Sequence, residues 1–406
     1  MRRVLLGLLV LGLAACPAKR EEQARSTSTN PGGGPSYDTR QPSPDPTLDG
    51  PAPVDPEAAH HVVFADRTSQ AYLLLLDGPK PAMPTRDELI ALVKKRMPAA
   101  KYEAELGLLE RFIAAVPPPP GFEGLSEVER ARLMREDLLG LHIDVLANDS
   151  LTDDALISSA VLTDRVLARD LTVPQRVAAS RRRWTVLLRA DYRNQFAVRG
   201  LRLLQTLVRV YATEHNALIH DPDTSETMNI AAFSRRRLQA SIGNIADQVA
   251  VVPFPDDNGT VRMTTRGMRR FGSVDLELDG LSRDPKILDR ATHLLLGLAF
   301  KMVQDGEYDP LGYAVEVDDI ISLSRGDITR AFAGRPGKLA PCDSCGKAVR
   351  VHLVERDAKP TDPHEHVVAR VVAPRSASDA PEYNHAEWSE SAMSQLLGSF
   401  VAPTDG

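Results

Sequence analysis

The chain has 406 residues, enough for two ordinary domains, and 49 lysines and arginines against 55 aspartates and glutamates give a formal net charge of −6. An apolar share of 43% and a charged share of 26% are those of a globular protein. An acidic balance with scattered arginines lacks the basic face of a nucleic-acid-binding protein, so we expect no nucleic acid as a partner.

The first sixteen residues have the features of a secretion signal. Residues 1–3 are cationic, and residues 4–13 form an apolar run that is too short to span a bilayer as a helix of about 20 residues. The run ends in Leu13-Ala14-Ala15-Cys16, which resembles the lipobox of bacterial lipoproteins. The resemblance implies that residues 1–15 are removed and that Cys16 is acylated, with the lipid bilayer as its partner. The alternative is an ordinary secretory signal with an incidental cysteine.

The segment after Cys16 indicates how the chain is held. In Gram-negative lipoproteins an aspartate at the next position favours the inner membrane, so Pro17 implies a lipid-anchored protein of the outer membrane. Residues 16–58 are rich in proline, serine, threonine, glycine and charge, a composition typical of a disordered linker. Such a linker reaches about 35 Å as a coil and about 130 Å when fully extended.

Strands and helices follow one another closely after residue 59. Predicted strands cover residues 61–65, 72–76, 184–188, 217–220, 249–253, 313–317, 347–355 and 367–372. Predicted helices cover residues 85–97, 102–113, 126–141, 152–167, 195–214, 229–242 and 285–303, with a short one near 388–397. Thr85 and Glu88 form a capping box at the start of the first helix.

These elements predict an α+β fold of mixed helices and mainly antiparallel strands, with a small C-terminal β-ribbon. Changes in composition divide the chain into an N-terminal α+β part over residues 59–175 and an α+β domain over residues 176–333. The ribbon, with its Cys-x-x-Cys motif, follows over residues 334–375. Residues 376–406 are predicted to be a partly disordered tail.

The chain is organised around residues 261–278, predicted to be a strand, a glycine-bent basic turn and a short strand. This stretch resembles a Thr-x-Gly-hydrophobic-x-x-Phe-Gly-x-x-Asp-Leu signature of bacterial domains of unknown function. The matching residues are Thr265, Gly267, Met268, Phe271, Gly272, Asp275 and Leu276. The resemblance implies a fold neighbourhood and no reaction. We expect Phe271 to be a buried anchor, and Gly267 and Gly272 to be required by the backbone.

Three arginines of this turn, Arg266, Arg269 and Arg270, could contact an anion. The alternative is a solvated turn face, or ion pairs with Asp275 and Glu277. On that second interpretation, replacing the three arginines by glutamine changes stability little, because exposed ion pairs contribute only about 0–1 kcal/mol each.

The motif at Cys342 and Cys345 permits three interpretations. A thioredoxin-like redox pair requires a helix after the first cysteine, whereas Gly346 and a strand pattern follow here. A zinc site would need His364 and His366 to complete the tetrahedron, although the spacing matches no standard finger. A short local disulfide or two spare thiols is the interpretation we favour for an oxidising compartment. Apart from this zinc alternative, we expect no cofactor.

Residues 221–232 contain a run of acidic residues that is not a calcium loop. Glu226 stands where the loop needs glycine and Ala232 where it needs glutamate, so we predict a turn at residues 221–224. His215 and His220 flank a short predicted strand and are interpreted as structural.

Two functions remain open. The first is a non-enzymatic binding or interaction module at the cell envelope, with an envelope protein or a cell-wall component as partner. The alternative is an envelope hydrolase or metal-dependent enzyme that uses the arginine turn or the Cys/His cluster. Convergence of that turn with His215, His220 and Asp221 in one deep pocket would favour the enzyme.

Overall fold

The computed structural model describes residues 61–65, 67–117, 124–129, 138–149, 151, 155–193, 198–239, 245–306, 316–332, 345, 348–359, 362, 367–379 and 381–398. The predicted signal, Cys16 and the predicted linker lie outside these residues. Among the described residues, no helix is both long enough and apolar enough to cross a membrane.

The described strands are β1 (His61–Val63), β2 (Arg67–Leu76), β3 (Leu138–Ala147), β4 (Trp184–Arg193), β5 (Leu218–Asp221), β6 (Glu226–Met228), β7 (Ala250–Pro255), β8 (Val261–Arg266), β9 (Asp275–Leu281), β10 (Glu316–Asp318), β11 (Ile320–Ser324), β12 (Ala348–Glu355) and β13 (Val368–Val372).

The described α-helices are α1 (Arg86–Arg96), α2 (Ala99–Ala114), α3 (Ser159–Thr163), α4 (Val173–Ala179), α5 (Val198–His215), α6 (Ile230–Phe233), α7 (Ile245–Gln248), α8 (Pro285–Asp305), α9 (Arg325–Ala331), α10 (Arg375–Ser378) and α11 (His385–Leu397). A π-helix covers Ser234–Gln239 and a 3₁₀ turn covers Met268–Phe271. The Thr85 capping box at α1 is present as predicted.

One sheet has five antiparallel strands in the order β3-β4-β2-β5-β6. Its central strand β2 pairs with β4 from Arg67 opposite Arg193 to Leu76 opposite Trp184. Because side chains alternate along a strand, Tyr72 and Leu74 face the main core, and Leu73 faces the opposite side of the sheet.

A second sheet has six strands in the order β11-β12-β13-β9-β8-β7, and β1 pairs separately with β10. Within this sheet β13 runs parallel to β9, and the other pairs are antiparallel. The two sheets together with the helices confirm the predicted α+β class.

A single apolar core joins the two sheets. It contains Tyr72 and Leu74 of β2, Leu276 of β9 and Leu295 of α8. The predicted boundary near residue 175 separates β2 and β3 from their partner β4, and the boundary near residue 333 separates β13 from its partner β9. Each predicted domain boundary therefore divides a hydrogen-bonded sheet, because strands from the two sides of the boundary pair with each other.

A covering lobe, defined as residues 157–183, lies on the outer face of the five-stranded sheet. It contains α3 and α4, and its buried apolar side chains pack against those of β2 and β5 in a second core. The members of this core are Leu73, Leu75, Ile157, Leu162, Ala168, Leu171, Ala179 and Leu218. Thr172 forms a capping box with Gln175 at the start of α4.

Two of the predicted helices, over residues 126–141 and 152–167, are wrong. Residues 138–141 belong to β3 instead of a helix that ends at Leu141, and in residues 152–167 the only described helix is the five-residue α3. The alternation of His142 and Asp144 with Ile143 and Val145 has the period of a strand, and β4 provides the partner. The predicted tail helix exists as α11, with Ala392, Met393 and Leu396 buried.

Candidate functional site

The central stretch forms β8, the 3₁₀ turn and the start of β9, and each residue of its motif has a structural task. Gly267 has φ 110° and Gly272 has φ 71°, which are left-handed values that favour glycine, so both glycine predictions are confirmed. Between them Met268 and Phe271 are buried, at 0% and 2% exposure, which confirms the predicted anchor.

Polar residues of the same motif close the turn. The Thr265 hydroxyl donates to Asp275 Oδ1 at 2.9 Å, and the Met268 amide donates to the same oxygen at 3.2 Å. The Leu276 amide in turn donates to Thr265 Oγ1 at 2.8 Å. The strand ends and the turn are therefore held in one arrangement, which places Arg270 toward the interior.

The turn also binds the five-stranded sheet through its carbonyl groups. Thr68 of β2 donates its hydroxyl to the Arg269 oxygen at 2.6 Å, and Tyr192 of β4 donates its hydroxyl to the Arg270 oxygen at 2.8 Å. The Ala65 amide donates to the Gly272 oxygen at 2.9 Å. The central motif is consequently one of the connections between the two sheets, together with the apolar core.

Asp221, at the end of β5, is the centre of a buried ion-pair network. Arg270 donates to both of its carboxylate oxygens, at 3.0 and 3.1 Å, and Arg237 donates to Oδ2 at 3.0 Å. The side chains of all three residues have 0% exposure. Burial by itself raises the pKa of Asp221, but Arg270 and Arg237 outweigh it and hold that pKa below its usual value.

Glu226 on β6 extends the network toward the surface. It accepts from Arg237 at 3.0 Å, from Arg236 at 2.6 Å and from Arg169 at 2.9 Å. Burial opposes its ionisation, but these arginines lower the pKa of Glu226 to about 2. Arg236 also binds Asp170 at 2.6 Å. The Arg169 side chain is half exposed, so the network runs from the core to solvent.

The π-helix provides two adjacent arginines to these carboxylates. Arg236 and Arg237 lie in Ser234–Gln239, where the wider i→i+5 helix changes the direction of successive side chains. Arg237 also donates to the backbone oxygen of Asp247, and Gln248 donates to the Arg237 oxygen at 3.2 Å. Backbone and side chain of Arg237 are thus both tied to α7.

Two buried tyrosines line the network from the sheet side. Gln205 donates to the Tyr72 hydroxyl at 2.9 Å, and burial raises the pKa of Tyr72 to about 12. Burial also raises the pKa of Tyr192 well above its usual value. Both phenols are therefore neutral at physiological pH and act here as hydrogen-bonding groups.

A second network surrounds Glu277 of β9, whose side chain has 0% exposure. Arg262 donates to it at 2.9 Å, Arg356 at 2.6 and 2.9 Å, and Lys359 at 3.2 Å. Arg356 also donates twice to Asp362, at 2.6 and 2.9 Å. Burial raises the pKa of Glu277, but the bonds from Arg356 and Arg262 outweigh this effect and lower it.

An open cavity of about 690 Å³ lies beside this second network. Its lining has mixed charge and consists of Glu355, Arg356, Asp357, Ala358, Lys359 and Arg370. Since Arg356 and Lys359 already bind Glu277, most of the positive charge at the cavity is compensated from within the protein.

The three arginines named as anion contacts lie in different environments. Arg270 is fully enclosed with Asp221, so the interpretation of all three as a solvated face, or as partners of Asp275 and Glu277, is wrong for this residue. Arg266 donates to the Ser225 hydroxyl at 3.1 Å and lies over the Phe254 ring. The structure does not bring the three guanidinium groups together at one surface.

The candidate histidines do not converge with Asp221 in a pocket. His220 precedes Asp221 on β5, so its side chain points to the opposite face of the sheet, where Nδ1 lies 2.9 Å from the Thr227 hydroxyl. Burial lowers the pKa of His220 to about 4. The His215 ring lies 4.3 Å from the Tyr211 ring at the end of α5, tilted by 33°. Both histidines therefore contact neighbouring side chains of the fold and do not line a pocket with Asp221.

The Cys/His cluster is described only at Cys345. This cysteine is disulfide-bonded, and a disulfide sulfur is not the thiolate that zinc binds. Cys342, His364 and His366 lie outside the described residues, as does Cys16. His352, which is near them in sequence, pairs with Asp319 at 3.2 Å. Within the described ranges, no group of three or more His, Cys, Asp or Glu side chains is arranged to hold a metal ion.

The residues that sequence reasoning missed are Asp170, Glu226, Arg236, Arg237, Glu277 and Arg356 as members of buried networks. The run Arg235–Arg237 was the available signal, because successive side chains of a helical segment point in different directions and three adjacent arginines cannot all face solvent when the segment packs on a core. Comparisons of the chain with family models, with curated proteins and with solved structures found no match.

Proposed function

We propose that the protein is a lipid-anchored bacterial envelope lipoprotein whose globular part is a non-enzymatic binding or interaction module. The anchor is the acylated Cys16, and the membrane is the outer membrane of a Gram-negative cell. The support for the anchor is the cationic, apolar and lipobox segments at the start of the sequence. Its partner class is an envelope protein or a cell-wall component.

The observation that favours a non-enzymatic module is the state of Arg270. An anion-binding or catalytic turn would depend on this residue, which lies at the centre of the motif. Its guanidinium is fully enclosed and bound to both oxygens of Asp221. A charge that is compensated in this way holds the fold and leaves no charged group of that residue for a substrate.

The anchor is tested by metabolic labelling of the full chain with a tagged fatty acid. We expect the label and membrane fractionation to be lost in Cys16→Ala and retained in the matched Cys345→Ala control. A Cys16→Ala chain that keeps the label and its detergent partitioning would refute the anchor.

The module is tested by affinity capture of the anchored chain from envelope extracts. We expect a defined envelope protein or cell-wall fragment in stoichiometric yield, with equal yield from an Arg266→Gln/Arg269→Gln variant. Capture that depends on these two arginines would instead support the turn as a site, and the absence of any partner would contradict the module.

A further inference from the structure

The covering lobe differs in charge from the rest of the protein. Its residues 157–183 contain six arginines and two aspartates, a net charge of +4 (6 − 2), in a chain whose net charge is −6. Arg165, Arg181 and Arg183 are exposed, whereas Arg169, with a side chain that is 51% exposed, binds Glu226. The lobe is therefore a local cationic surface on an acidic protein.

The outer face of α4 is apolar. Val173, Pro174, Val177 and Ala178 are all exposed, and the two valines have 67% and 45% exposure. At 100° per residue these four positions lie within one arc of about 140°, and the buried Ala179 faces the sheet. A surface helix normally has the reverse arrangement, with polar residues toward solvent.

One arginine, Arg181, lies on the same side as this apolar face. Hydrogen bonds from the Arg181 and Arg182 amides to the Ala178 and Ala179 oxygens continue the helical turn beyond α4. Arg181 therefore follows Val173 and Val177 at four-residue spacing on the same side. Val166, which is 56% exposed, and Arg165 lie in the segment that leads from α3 to α4.

We propose that this face of the covering lobe docks on an anionic phospholipid bilayer. The valines enter the interfacial region while the arginines bind lipid phosphates, the combination by which interfacial helices hold to membranes. The inference rests on the proposed function only for the tether that keeps the lobe near a bilayer.

The tether does not by itself select a face. A folded region of about 350 residues has a radius of gyration of about 20 Å, whereas the extended linker reaches about 130 Å. Any side of the protein can therefore reach the membrane, and the chemistry of the surface determines which side docks. The apolar face, with Arg181 on its side and in a lobe of net charge +4, matches an anionic lipid surface in both polarity and charge.

The test uses the mature chain from residue 16 onward, with Cys16→Ser so that no acyl group contributes. It is sedimented with vesicles of phosphatidylcholine alone and with vesicles that also contain phosphatidylglycerol. We expect binding only to the second kind, and weaker binding at high salt. No binding to either kind, or equal binding to both, would overturn the proposal.

Matched variants locate the docking face. Arg165→Gln/Arg181→Gln/Arg183→Gln should weaken binding about a hundredfold, at about fivefold per arginine. The control Arg209→Gln/Arg283→Gln/Arg375→Gln makes the same change in net charge at exposed arginines elsewhere and should have little effect. Equal losses in both triple variants would refute a specific face.

A second pair of variants tests the apolar contribution. Val173→Gln/Val177→Gln should weaken binding about tenfold. Val354→Gln/Val367→Gln, at valines of 40% and 45% exposure in β12 and just before β13, should bind as the parent does. Thermal melts check that every variant is folded. The Cys16 labelling result is independent of these measurements, so failure of the anchor and failure of the docking face are distinguished.

Discussion

Arg270 and Asp221 face each other in the interior, 49 residues apart in sequence, through two hydrogen bonds of 3.0 and 3.1 Å. Arg270 lies in the 3₁₀ turn between β8 and β9 of the six-stranded sheet, and Asp221 lies at the end of β5 in the five-stranded sheet. An ion pair therefore crosses the boundary between the two sheets at the point where the central turn binds β2 and β4.

Replacing Arg270 by Met should destabilise the protein by about 3–5 kcal/mol, because it removes one partner of a buried ion pair. Urea denaturation provides the measurement. Arg269→Gln is the control, since the Arg269 carbonyl that binds Thr68 is kept, and its stability should change by less than about 1 kcal/mol. Equal losses of unfolding free energy in the two variants would contradict a specific role for the Arg270–Asp221 pair.

Gly267→Ala should cost more than Gly280→Ala, although both glycines have positive φ, at 110° and 66°. A Cβ at Gly267 would lie 3.1 Å from the Gln248 oxygen and from Thr224 Cγ2, whereas a Cβ at Gly280 would meet nothing within 4 Å. We expect losses of at least about 2 kcal/mol and about 1 kcal/mol respectively, measured by thermal denaturation. A reversed order would contradict the packing around Gly267.

Stability should fall as the pH decreases from about 6.5 to about 4, because burial lowers the pKa of His220 from 6.5 to about 4. In this window the unfolded state binds a proton that the folded state does not, so stability is full above the window and decreases by about 3 kcal/mol across it. Denaturation as a function of pH measures the slope. His220→Gln should flatten it, and the control His293→Gln should leave it unchanged.

Arg356→Lys should loosen the segment that joins β12 to β13. All five N–H groups of Arg356 donate, to Glu277, Asp362 and the Asp357 oxygen, and an ammonium group cannot reproduce that planar fork. We expect a loss of about 2 kcal/mol and faster amide exchange at Lys359, which bonds Asp362. The control Arg370→Lys should leave this amide protected, and exchange that is equal in both variants would contradict the assignment.

Local signals predicted the features that depend on neighbouring residues. The Thr85 capping box and the left-handed glycines at 267 and 272 each follow from a few adjacent residues, and all are present. Phe271 was predicted to be buried because it is an apolar residue in a polar turn, and its exposure is 2%.

Features that depend on distant partners were not predicted. The beginning of β3 was interpreted as helix, because Leu138 and Leu141 continue a helical spacing and the strand becomes evident only beside β4. The sequence names Arg270 as a possible anion contact or a turn residue paired with Asp275 or Glu277, and it gives no role to Arg237, since nothing next to them in sequence identifies Asp221 as their partner. A buried ion pair between residues that are distant in sequence leaves no repeating pattern in the sequence, so it cannot be predicted from periodicity.

The short strand β1 determines how the folded region responds to a pulling force. It is the first described element after the proposed tether, and three residues pair it with β10, which lies about 250 residues further along the chain. Tension on the tether loads this pair first, then the bond from the Ala65 amide to the Gly272 oxygen, and only then the ten-residue β2 with partners on both sides. We therefore expect the outermost pair to yield first and to lengthen the proposed tether by a few residues, while the sheet that holds the Asp221 network remains intact.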